Sequence, residues 1–184
     1  MGPAEHATPF SHGFPPVHAP GAKVLILGSL PGVRSLREQR YYAQPQNAFW
    51  RIMGALVGAA PELAYEERLA RLTDNGIALW DVLAAGRRPG SLDSAIDRAT
   101  AVTNDFASFF ELNPTIGSIF FNGATAAELY RRRVVPTLDP GYAEIERRTL
   151  PSTSPAHARM PFTEKLAHWS AALTPPRGEV ADRR

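Results

Sequence analysis

The apolar run Val24-Leu25-Ile26-Leu27 breaks off in Gly28-Ser29-Leu30-Pro31-Gly32, and no other stretch restricts the fold as strongly. Four consecutive apolar residues leave no polar face, so a strand built from them has to be covered on both sides. The Gly/Pro turn then takes the chain off the sheet at the strand's carboxyl end, where open α/β sheets place their ligand sites. Three further apolar runs lie at residues 77–82, 116–121 and 147–150, the last weaker and suited to an edge. Helical patterns fill the intervals at 48–57, 65–74, 104–112, 124–132 and 162–172. Strands alternating with helices predict a parallel sheet covered on both faces. The expected fold is α/β, a three-layer α/β/α sandwich around a four-stranded, mainly parallel sheet.

A chain of 184 residues holds one core and is short for two. Residues 14–172 read as a single domain. The lead-in over 1–13, rich in Pro, His and Gly, is expected to be flexible, although Phe14-Pro15-Pro16-Val17 can pack on the body. The polar, Pro-broken tail over 173–184 is expected to be disordered. Hydrophobic residues make up 44% and charged residues 21%, the balance of a soluble globular protein. No apolar run reaches the length of a membrane span, and no basic segment precedes an apolar one at the amino terminus. A cytoplasmic location, on the nucleoid in a bacterium, is the expectation.

The chain has no cysteine, which excludes disulfides, thiolate nucleophiles and Cys-based zinc or iron–sulfur sites. The His residues outside the motifs, at 6, 12, 18 and 168, have no ligand spacing, so neither metal nor cofactor is expected. Net charge is +2 with a pI of about 9.2, and the cations are nearly all arginine. They cluster at Arg34, Arg37 and Arg40, at Arg87 and Arg88, at 131–133, and at Arg147 and Arg148. Guanidinium forks suit phosphate oxygens, and solvated surface charge accounts for such clusters equally well.

Individual motifs carry candidate chemistry. Gly28-Ser29-Leu30-Pro31-Gly32 lacks the spacing of a dinucleotide fingerprint, and by itself reads as a tight βα turn. Asn47, directly before Ala48-Phe49-Trp50-Arg51, suits a helix N-cap, while Phe49 and Trp50 read as core. Asp81 closes the apolar run 77–82, either as a ligand-facing acceptor or as a cap for the loop 84–90. Ser91-Leu92-Asp93-Ser94-Ala95-Ile96 reads as a short capped helix with a structural role. Asn122-Gly123 joins a strand to a helix, so Asn122 either lines a pocket or makes a plain turn, and amides there suit a phosphate.

Taken together, Gly28–Gly32, the aromatic and amide block Tyr41-Tyr42-Ala43-Gln44-Pro45-Gln46-Asn47-Ala48-Phe49-Trp50, and Leu150-Pro151-Ser152-Thr153-Ser154-Pro155-Ala156-His157-Ala158 resemble the two signatures of the uracil-DNA glycosylase superfamily. The nearest branch acts on deoxyinosine, that is, on hypoxanthine in DNA. The resemblance covers about residues 14–172 and implies a monofunctional DNA glycosylase of α/β/α fold. It implies that Tyr42 stacks on a flipped base, that Asp81, Asn122 and the turn residues Gly28, Ser29, Leu30 and Pro31 bind that base, and that Asn47 orients the attacking water. It also implies that Ser152, Thr153, Ser154, Pro155, Ala156 and His157 grip the DNA backbone and supply the wedge. The chain departs from its relatives in two places. Leu30 stands where some carry a catalytic Asn or acid, and Ser154 stands where a base-stabilising His is usual. The implied partner is DNA containing a deaminated base, bound by a monomer whose abasic product passes to an endonuclease. With Lys23 and Lys165 as the only lysines and neither in a motif, Schiff-base lyase chemistry is not expected. The alternatives are a uracil- or mismatch-preferring enzyme of the same fold and a non-catalytic binder of damaged DNA.

Overall fold

The computed structural model describes residues 10–173; the first nine residues and the tail beyond 173 lie outside the described residues. Four strands, β2 (Val24–Gly28), β3 (Ile77–Asp81), β6 (Ser118–Asn122) and β7 (Glu146–Leu150), form a fully parallel sheet in the order β3-β2-β6-β7. Side chains alternate between its faces. Leu25, Leu27, Ala78, Trp80, Ile119 and Phe121 point to one side, where α4 (Phe106–Leu112) and α5 (Ala124–Leu129) bring Phe106, Phe109, Phe110, Ala126 and Leu129. Ile26, Ile77, Leu79, Phe120 and Leu150 point to the other, against α2 (Phe49–Val57), α3 (Tyr65–Asp74) and α6 (Phe162–Leu173) through Phe49, Ile52, Met53, Leu72 and Trp169. Two cores on the two faces of one sheet make the three-layer α/β/α sandwich that the apolar runs predict. The edge strand β7 is exposed except at Leu150 and carries Glu146, Arg147 and Arg148, charges that discourage further pairing.

Several boundaries differ from the sequence expectation. The third apolar run starts its strand at Ser118 rather than 116, so Asn122 ends β6 instead of opening a turn. The helix expected over 124–132 gives way at Tyr130 to a wider π turn ending at Val134. A short helix, α1 (Val33–Glu38), follows the Gly/Pro turn and has no counterpart among the expected elements. Residues 84–87 of the expected loop 84–90 belong instead to β4 (Leu83–Arg87), which pairs antiparallel with β1 (Phe10–His12) and β5 (Val102–Thr103) in a second sheet. The last residues of the presumed lead-in are therefore a strand. Phe14–Val17 packs on the body as well: Trp80 Nε1 donates to the Phe14 carbonyl at 3.0 Å, and Val17 and Leu79 exchange backbone hydrogen bonds. No helix among the described residues is long and apolar enough to cross a membrane.

Candidate active site

A cavity of about 680 Å³ opens at the carboxyl ends of β2, β3 and β6. It is lined by every residue that the motifs single out, from Gly28 to Pro31, through Tyr42, Asn47, Asp81 and Asn122, to Ser152–His157. Residues over a hundred positions apart meet here because parallel strands end at one edge of the sheet.

Gly28 forms the floor. A Cβ built on it would lie 2.4 Å from Asp81 Oδ1 and 3.1 Å from the Tyr42 hydroxyl, so only glycine lets the carboxylate and the ring approach. The Val82 and Leu83 amides donate to the Gly28 and Ser29 carbonyls at 2.9 and 3.0 Å, which extends the β2–β3 ladder into the turn. Asp81 follows as the last residue of β3, 4% exposed, and its Oδ2 is buried without a hydrogen-bond partner. Burial first, then the charge of Asp93, pushes its carboxyl up to about 7, while the Arg88 guanidinium pulls the other way. Near neutral pH this group is thus available in its protonated form, as a donor as well as an acceptor.

Tyr42 sits in the left-handed region at φ 53°, a conformation that costs a non-glycine residue about 1 kcal/mol or more. Its ring stacks on Phe49 with centroids 4.0 Å apart and planes at 19°, and burial pushes its hydroxyl far above the ordinary tyrosine value. Tyr41 turns into the core instead and donates its hydroxyl to the Pro15 carbonyl at 3.1 Å. Phe49 and Trp50 are core, as their helical spacing predicts.

Asn122 joins three segments. Its Nδ2 donates to the Tyr42 hydroxyl at 3.0 Å and to Thr153 Oγ1 at 2.8 Å, and its Oδ1 accepts from the Thr153 amide at 2.8 Å. Both amide hydrogens are therefore used within the protein, and Asn122 holds the site together rather than presenting donors to a ligand. The neighbouring Gly123 amide donates to the Phe121 and Leu150 carbonyls, so it is not a phosphate donor. Gly123 is needed for a different reason: with φ +98° and a built Cβ 3.1 Å from Ser152 Cβ, no other residue lets the 152–157 loop come so close.

Within that loop Thr153 is 1% exposed and faces Asn122, whereas Pro155, Ala156 and His157 stand at the surface. Ser152 Oγ accepts from the Ser154 amide and Ser154 Oγ from the Ala156 amide, both at 3.2 Å, so the hydroxyls brace the loop. Asn47 lines the cavity beside it. Its Oδ1 accepts from the Phe49 amide at 3.0 Å, an Asx turn leading into α2, whose N-cap position is Ala48 rather than the expected Asn47 and carries no side-chain cap. The Thr153 carbonyl accepts from the Ala48 amide at 2.9 Å.

Two residues that line the cavity do not stand out in the sequence. Arg88 belongs to an arginine pair that reads as a phosphate contact or surface charge, yet it is 5% exposed. Its guanidinium donates to the carbonyls of Leu30 at 3.0 Å, Gly90 at 3.2 Å and Pro31, clamping the Gly/Pro turn. Asp93 reads as a helix cap, but the segment Asp93–Ala95 is a single 3-10 turn with no side-chain cap. Its carboxylate instead accepts from Ser29 Oγ at 2.6 Å and lies 3.5 Å from Arg88 Nη1. Leu30, the departure from the catalytic turn of the relatives, packs its side chain into the core.

The family model described as Uracil DNA glycosylase superfamily matches residues 15–174. A protein of Methanosarcina acetivorans named hypoxanthine DNA glycosylase is 41% identical over 163 residues, 88% of this chain and 96% of its own. A second of that name, from Methanosarcina barkeri, is 40% identical over 117 residues, 63% of this chain and 73% of its own. A solution NMR structure of a candidate uracil DNA glycosylase from Methanosarcina acetivorans is similar with a TM-score of 0.73 and 39% identity, covering 89% of this chain and 96% of that one. The chain belongs to the uracil DNA glycosylase superfamily and is a DNA glycosylase.

Proposed function

We propose that this superfamily member removes hypoxanthine from deaminated DNA by hydrolysis alone and leaves an abasic site for a separate endonuclease. The convergence of Tyr42, Asn47, Asp81 and the 152–157 loop on one cavity carries the reading. The names of relatives about 40% identical support the choice of base. The enzyme extrudes the damaged nucleotide at an expense of a few kcal/mol, least where the base is mispaired. The flipped ring lies against the face of Tyr42 that Phe49 does not cover. Asp81 meets the base edge; ionised, it accepts from the N1–H of hypoxanthine, and protonated, it donates to a ring nitrogen or to O6. The C1′–N9 bond breaks through an oxocarbenium-like sugar, and the second lone pair of Asn47 Oδ1 orients the water that attacks C1′. The hydrogen bond from the Phe49 amide holds that side chain in place at the start of α2. Ser152, Ser154 and the loop amides take the phosphodiester backbone, with the Pro155-Ala156-His157 tip as the wedge.

The test is release of hypoxanthine, uracil or xanthine from single- and double-stranded oligonucleotides by the wild type and by Asn47→Ala. Hypoxanthine release that drops about 10³-fold in the variant, of the order expected for loss of a water-positioning group, is the expected result. Release of uracil alone would overturn the base assignment. Tight binding to abasic DNA with no release of any base would leave a damage binder.

A further inference from the structure

The Gly28–Gly32 turn carries no acidic residue, but the fold delivers one to it. Asp93 Oδ1 accepts from Ser29 Oγ at 2.6 Å and lies 3.5 Å from Arg88 Nη1. Ser29 and Arg88 are both buried, and Arg88 is fixed by three carbonyl contacts. Both contacts fall on Oδ1, which fixes the orientation of the carboxylate and directs Oδ2 away from them. The Asp93 side chain lines the cavity and is 38% exposed. Asp81, by contrast, lies deep against Gly28 and is 4% exposed. The cavity therefore holds two carboxyl groups at two depths. The deeper one is enclosed at the floor beside Gly28, and the shallower one is nearer the mouth.

We infer that Asp93, held by Ser29 and Arg88, is the base that accepts the proton of the attacking water. The inference rests on the proposed hydrolytic reading. The water oxygen bonds to C1′ as the C1′–N9 bond breaks, and the electron pair of that bond leaves on the purine. The water's proton passes to Asp93, and the departing purine takes one from Asp81 or from solvent. Asn47 orients the water and Asp93 deprotonates it, so a Leu at position 30 is tolerated because the acid comes from the 3-10 turn that follows β4. Ser29 is a positioning residue, since it acts through Asp93.

The experiment measures single-turnover release of hypoxanthine and of uracil, with dissociation constants for the same oligonucleotides. Wild type, Asp93→Asn, Asp93→Ala with and without added formate, and Ser29→Ala are compared, each with its melting temperature. On whichever base the wild type releases, Asp93→Asn is expected to lose about 10²–10³-fold in rate, with binding within about threefold. Formate is expected to restore at least about tenfold to Asp93→Ala, and Ser29→Ala to lose about tenfold. A rate within about threefold of wild type in Asp93→Asn overturns the assignment. So does a slow Asp93→Ala that melts and binds like wild type but gains nothing from formate. Preference for uracil over hypoxanthine would remove the base assignment alone, because the Asp93 comparison is made on either base.

Discussion

The wall of the cavity built from residues 28–32 and 81–94 works with charge; the wall built from 42–49, 122–123 and 152–157 works with amides, hydroxyls and one stacked ring. In the first, Asp81 and Arg88 are buried and Asp93 is half-buried beside them, and the guanidinium of the arginine donates to turn carbonyls. In the second, Asn122 links β6, Tyr42 and Thr153 through neutral hydrogen bonds. Buried charge is expensive and responds to pH, whereas a satisfied neutral network is rigid and indifferent to pH. On the proposed mechanism the difference separates two tasks: the charged wall would handle protons, and the neutral wall would fix geometry and receive the DNA strand.

Three perturbations probe that division, and the largest effect is expected at Arg88. Arg88→Met removes the clamp on Leu30, Gly90 and Pro31 and leaves Asp93 with Ser29 alone. A loss of about 3–4 kcal/mol is expected, seen as a melting temperature roughly 10 °C lower. A variant that melts within about 2 °C of wild type would show that the charged wall is not held by this residue. Asn122→Ala comes next. It strands the buried Thr153 amide and hydroxyl and the Tyr42 hydroxyl, an expense of about 3 kcal/mol. Because no charge is removed, the loss is expected to be the same at pH 5 and pH 8, and a strongly pH-dependent loss in thermal melts would contradict the neutral assignment.

The smallest effect concerns Asp81, and here the sign follows from linkage. Its carboxyl titrates near 3.8 ordinarily and at about 7 in the folded chain. Between those values the folded state binds more protons than the unfolded one, so this group makes stability decline as pH rises from about 4 to about 7. Asp81→Asn keeps the shape and removes the decline. The variant should match wild type near pH 4 and exceed it at pH 8 by about 2 kcal/mol, within an upper bound of roughly 4 kcal/mol set by the size of the shift. An equal difference in melting temperature at both pH values would refute a carboxyl held near neutrality.

How much of this was legible in the sequence follows from which forces write themselves into local pattern. The parallel sheet was legible because strands buried on both faces are continuous apolar runs, as in Val24–Gly28 and Ile77–Asp81. The second sheet was not: Leu83-Ala84-Ala85-Gly86-Arg87 has no β-branched residue, and its partners are two and three residues long. Tyr42 and Asn47 were legible only through the family resemblance, and the cap expected of Asn47 became an Asx turn one residue ahead of the helix cap at Ala48. Arg88 and Asp93 escaped because nothing local distinguishes a buried arginine from its exposed neighbour Arg87, or a carboxylate aimed at a distant serine from a helix cap. Those roles are set by contacts 57 to 64 residues away in sequence.

Because Asn122 and Arg88 brace the cavity with bonds made entirely within the chain, the entropy of shaping it is settled when the protein folds. Less of the binding energy of an extruded nucleotide then has to go into ordering the site around it. Selectivity then shifts onto the DNA, whose own breathing decides which bases reach the cavity, and a poorly paired base arrives more often than a well-paired one. The same bracing keeps the 152–157 loop set for the strand after the glycosidic bond is gone. If the loop holds the strand as proposed, release of the abasic product is expected to limit turnover, which a burst of base release in the first cycle would show.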